Sequence, residues 1–101
     1  MAAPGAATGV VAYTAVVEVH GDGSGVFRLT GVADTQSFGN AQAALQAAHS
    51  AAQQAAVLAV QGMGAAQPEV EVSEHKSYYP NAVDDRGLMQ AVVTARAVGR
   101  P

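Results

Sequence analysis

The side chains most able to move a proton or hold a ligand are crowded into one stretch. Glu69, Glu71, Glu74, His75, Lys76, Tyr78, Tyr79, Asp84, Asp85 and Arg86 all fall within it. General acid–base chemistry needs a group that titrates near neutrality and a partner that orients it, and an imidazole is the natural choice. His75 is that group here. Its sequence neighbour Glu74 is a poor partner, because adjacent residues of a strand point to opposite faces. Glu71, Ser73, His75 and Ser77 share a face of a regular strand, so a Glu71–Ser73–His75 row is the better arrangement. In an enzyme, His75 would act as the base, Glu71 would orient it, and Tyr78 or Arg86 would stabilise developing charge. The alternative is an edge strand with a solvated polar face.

Other constellations point to less. His20 and Asp22 could join His75 around a divalent ion, since imidazole and carboxylate are usual ligands, but no ligand spacing such as two histidines at i,i+4 is present. No metal site is expected. The run Gly21-Asp-Gly-Ser-Gly25 has the glycines of a phosphate loop. It joins two strands, however, whereas a phosphate loop leads into a helix, so it reads as a hairpin turn. None of the serines sits in a nucleophile elbow. Tyr78-Tyr79-Pro80 can stack on a planar ligand or cap the core at a strand end.

Composition narrows the function classes. The chain has 101 residues, a formal net charge of −3 and only five Lys or Arg residues. Those five are scattered, which argues against nucleic acid and against anionic membrane as partners. With no cysteine, disulfides and thiolate chemistry are excluded, which fits a cytoplasmic protein. Residues 1–9 read as a flexible arm without the basic start and apolar run of a signal peptide, and residues 10–101 as a single domain. Half of the residues are hydrophobic but only 5% are aromatic. The apolar content is therefore Ala and Val, whose small side chains each bury little area, and assembly with further copies would add to a thin core.

The elements that must position these groups follow from periodicity. Val10–His20 is β-branched and alternating, with Val11, Tyr13, Ala15, Val17 and Val19 on one face and Thr14, Glu18 and His20 on the other. Val26–Val32 returns as a second strand with Phe27 and Leu29 on one side. Asp34, Ser37 and Asn40 are candidate N-caps for a helix from about Phe38 to Gln61, with an apolar stripe at Ala41, Ala44, Leu45, Ala48, Ala52, Ala55 and Ala59. Gly62 and Gly64 stop it. Pro68–Tyr79 and Leu88–Val98 are the last strands, joined by the turn-rich Pro80–Gly87. The expected fold is α+β, in the order β-β-α-β-β: a four-stranded antiparallel sheet with one long alanine-rich helix packed closely on one face.

That helix is unusual in one respect. From Thr35 to Pro68 the chain carries no Asp, Glu, Lys or Arg. Gln42, Gln46, His49 and Gln53 form one polar stripe at i, i+4, i+7 and i+11. Neutral amides cost less to desolvate than charges, so the stripe suits a self-association surface. The other reading is a solvated helix with an alanine-biased composition.

From about Val26 onward the chain resembles the dodecins, small flavin-binding proteins that assemble as hollow dodecamers. The likeness rests on Leu29-Thr-Gly31, then Thr35-Gln-Ser-Phe38 ahead of an alanine-rich helix, the strand Val70-Glu-Val-Ser-Glu-His75, and Leu88-Met-Gln-Ala-Val-Val-Thr94 at the end. The resemblance implies a homo-oligomer and makes Gln90 the glutamine that contacts a flavin. It departs from the family in having no tryptophan where Gln67-Pro68 stand, and in carrying a strand at Val10–His20. Three functions are therefore expected. The first is a homo-oligomer binding a small molecule between sheet faces, with Gln90, Thr94, His75, Tyr78 and Arg86 lining the site. The second is a small isomerase, cyclase or lyase using His75 and Glu71. The third is an accessory subunit docking through the uncharged helix 38–61.

Overall fold

Alternation of apolar and polar residues runs through both ends of the chain. In the computed structural model, which describes residues 10–78 and 88–100, it produces five strands around one helix. In chain order these are β1 (Val11–Asp22), β2 (Phe27–Thr30), β3 (Gln36–Phe38), α1 (Ala41–Gly62), β4 (Ala66–Tyr78) and β5 (Leu88–Arg100). They form one sheet in the order β3-β2-β1-β5-β4, and every neighbouring pair is antiparallel. β1 and β5 are the central strands, in register from Val11↔Gly99 to Asp22↔Leu88. The arm expected over 1–9, and residues 79–87 with Tyr79 and Arg86, lie outside the described residues.

The α+β class and the single long helix hold, but there are five strands rather than four, and the order is β-β-β-α-β-β. The additional strand is Gln36–Phe38, which sequence reading places at the helix start. Phe38 sits opposite Phe27, an aromatic pair that packs against the core from the sheet. The turn before it passes through Gly31 at φ 90, where a Cβ would lie 2.7 Å from the Val16 carbonyl oxygen. Of the three candidate caps, Asn40 is the one used. Its side-chain oxygen accepts from the Ala43 N–H at 2.7 Å, which satisfies one of the free donors of the first turn. Ser37 lies in β3 and Asp34 in the turn before it, so α1 begins at Ala41 instead of Phe38. At the other end Gly64 takes φ 99, and the Ala65 N–H returns to the Val60 carbonyl at 3.1 Å.

The core lies between α1 and one face of the sheet. Ala15, Val17 and Val19 of β1, Phe27 and Leu29 of β2, and Ala91, Val93, Ala95 and Ala97 of β5 meet Ala44, Ala48, Ala52, Ala56 and Val60 of α1. Methyl groups on both sides let helix and sheet backbones approach closely, as the alanine faces imply. The buried stripe differs from the expected one in its second half, which continues through Ala56 and Val60 while Ala55 is exposed. A strict i,i+4 row drifts by roughly 40° around the helix at each step. The underlying sheet is twisted, and a drifting row stays seated on a twisted surface where a straight row would lift off.

Close packing sets the first prediction. Ala52→Leu inserts three carbons where nothing can yield, and should cost about 1–3 kcal/mol of stability in urea unfolding. Ala55→Leu, one turn further and exposed, should stay within about 0.5 kcal/mol. Equal effects of the two substitutions would contradict the seating of α1 described here.

Candidate functional site

The helix covers one face of the sheet, so the polar residues that alternate with the core fall on the other face, where no element lies among the described residues. Cross-strand register arranges them in rows. His20 of β1 stands between Arg28 of β2 and Gln90 of β5. Glu18 lies across from Val92, which in turn faces His75 of β4. Thr94 lies between Val16 and Ser73, and Arg96 between Thr14 and Glu71.

Two of these rows are joined by hydrogen bonds. Glu18 and His20, two apart on β1, point the same way, and His20 Nε2 lies 3.1 Å from Glu18 Oε1. A carboxylate only accepts, so Nε2 is the donor and carries the proton. Gln90 Nε2 donates to the same oxygen at 3.4 Å, across the β1–β5 ladder. All three residues are half-buried. At this exposure the contact adds little stability; its consequence is that the imidazole and the amide are aimed at one oxygen. Beside it, Thr14, Glu71, Ser73, Thr94 and Arg96 line a shallow hollow of about 580 Å³.

The residues singled out in the sequence are thus divided. Gln90, Thr94 and His75 share the open face. Glu71 and His75 also share it, but four positions of extended chain separate them by about 13 Å, too far for one to orient the other. His75 is exposed and makes no side-chain hydrogen bond among the described residues. Tyr78 ends β4 in register with Met89, and Arg86 falls outside the described residues. Asp22 is engaged elsewhere: its carboxylate accepts from the hydroxyl and N–H of Ser24 and reaches Arg28 at 3.5 Å. Among the described residues, no three His, Asp or Glu side chains converge as a metal site requires.

A second polar arrangement lies on the helix side of β4. His49 Nε2 is 3.0 Å from Glu74 Oε1, and the pair borders a groove of about 660 Å³ between the first half of α1 and β4. Gln42, Gln46, Ser50 and Lys76 line the same groove. Three members of the expected helix stripe, Gln42, Gln46 and His49, therefore border the groove against β4, and Gln53 does not. Sequence reading missed both pairings. Glu18 and His20 were legible, since i,i+2 residues of a strand share a face. His49 and Glu74 are 25 residues apart, and no local pattern joins them.

No protein-family model, curated protein or solved structure matches this chain. No helix among the described residues is long and apolar enough to cross a membrane.

The hairpin that carries His20 gives the pH prediction. The Ser24 hydroxyl above all, then the Ser24 N–H and Arg28, hold the Asp22 carboxyl below the usual aspartate range. A depressed folded value contributes stability that is present above the ordinary value, about 3.9, and is lost as pH falls through the lower folded one. Ser24→Ala should move the Asp22 titration upward when followed by carboxyl NMR; an unmoved titration would remove the hydroxyl as its main cause.

Proposed function

We propose that this protein is a homo-oligomer that binds a planar heteroaromatic small molecule on the open face of its sheet. The observation that carries the reading is the shared oxygen of Glu18, which accepts from both His20 and Gln90. A primary amide has two N–H donors and one carbonyl acceptor. With one donor held by Glu18, the remaining donor and acceptor of Gln90 form a matched pair for the edge of an imide or pyrimidine ring. His20 stands beside Gln90 in its row and His75 one row along, two strand spacings away, so the two lie diagonally about 12 Å apart with Val92 as an apolar floor between them. That is room for a fused ring system. Thr94 borders the hollow next to it.

A single open sheet face cannot exclude water from a ligand, so the reading requires a second copy over the site. The dodecin-like placing of Gln90 agrees with this and makes a flavin the natural probe. Riboflavin fluorescence should be quenched on titration with the protein, and Gln90→Ala should weaken binding about tenfold through loss of one or two hydrogen bonds. Absence of quenching with the wild-type protein, or equal binding by Gln90→Ala, would sink the flavin-like site.

A further inference from the structure

We propose that two copies pair through the free edge of β4, antiparallel and centred on Ser73. The proposal rests on the homo-oligomer reading above and adds a lateral seam that joins two sheets edge to edge, distinct from the contact that covers the open face.

The sheet has two edges of different kinds. β3 is three residues long, which is how natural sheets keep an edge from recruiting another chain. β4 is thirteen residues long, and its outer row of N–H and C=O groups meets no strand among the described residues. Its backbone protections, Pro68 and the irregularity between Ala66 and Glu69, sit at its start, and the charges beyond them, Glu69, Glu71, Glu74 and Lys76, limit the registers in which it can pair. From Glu69 to Ser77 the edge is regular, in step with β5 from Val98 to Gln90.

Charge selects the register. A two-fold axis normal to the sheet keeps both helices on one side and places residues of equal facing opposite one another. Centring the axis on Glu71, Glu74 or Lys76 sets like charges directly opposite, and centring it on Val70 sets Glu69 against Glu71. All four are unfavourable. A centre at Val72 brings Pro68, which has no N–H, into the ladder. A centre at His75 sets the two imidazoles against each other and needs Glu74 for the second copy's Lys76, although His49 already holds Glu74. A centre at Ser73 leaves none of these conflicts. It pairs the whole of 69–77 with itself, keeps Pro68 outside, and sets Glu71 opposite His75 of the second copy, twice over. The carboxylate and imidazole that are too distant within one chain meet between chains.

The helix side agrees. The groove of about 660 Å³ between α1 and β4 lies along this seam, and its helix wall presents Gln42, Gln46 and Ser50. Antiparallel pairing brings two such uncharged walls toward each other, where neutral amides are desolvated at lower cost than charges.

Cross-linking tests this directly, because the chain has no cysteine of its own. Directly opposed residues of an antiparallel pair have Cα atoms about 4.5–5.5 Å apart, within disulfide range. Ser73→Cys should therefore form a disulfide-linked dimer under mild oxidation. His75→Cys should not, since its mate lies about 13 Å away along the strand. In sedimentation, His75→Glu should weaken self-association about tenfold by opposing Glu71, and adding Glu71→Gln should restore it. If the wild-type protein self-associates but Ser73→Cys links no faster than His75→Cys, the seam is wrong and the oligomer reading stands. A wild-type monomer with no cross-linking overturns both.

Discussion

The contact of alanine methyl groups between α1 and the two central strands is the constraint on which the other features depend. A helix about 10 Å across spans two strand spacings, not the four of a five-stranded sheet. Seated on β1 and β5 through Ala44, Ala48, Ala52 and Ala56, α1 leaves one face of the sheet and the outer edge of β4 uncovered among the described residues. Small residues make the contact close but bury little area per residue. The fold is thus a half-covered sheet whose thin core lies on one side.

What chemistry the molecule has follows from what is left uncovered. Alternation sends Glu18, His20, Gln90 and Thr94 to the open face because their neighbours Val17, Val19, Ala91 and Val93 are needed on the buried one. The hydrogen bonds at Glu18 then bring an imidazole and an amide together on that face, beside Val92 and Thr94. The same half-coverage explains why the helix carries glutamine rather than charge on the side that flanks β4.

Much of this was legible in the sequence, for identifiable reasons. The β-branched runs of Val10–His20 and Leu88–Val98 placed both strands and most of their faces, although Tyr13, expected on the core face, is exposed, and the glycines of 21–25 placed the hairpin. Gln90 was singled out by the dodecin resemblance, and its place on the face that Thr94 and His75 share depends on the β1–β5–β4 register, which no single strand's pattern contains. What failed was local chemistry with two uses. Asp34, Thr35 and Ser37 suit a helix start as well as a turn, and the choice was made by Phe38 packing beside Phe27, a contact no window on the helix contains. The stripe at Ala55 and Ala59 failed because a helix seated on a twisted sheet follows i,i+4, not an average of i+3 and i+4. Glu71 as the orienting partner of His75 failed because sharing a face does not bring residues four apart together.

The central claim, that a half-covered sheet is completed by further copies around a small molecule, is most directly tested by native mass spectrometry of the purified protein. The account predicts a mass that is a multiple of the 10.1 kDa chain, with an additional increment for a bound small molecule. A single species at the chain mass, with nothing bound at micromolar concentration, would contradict it.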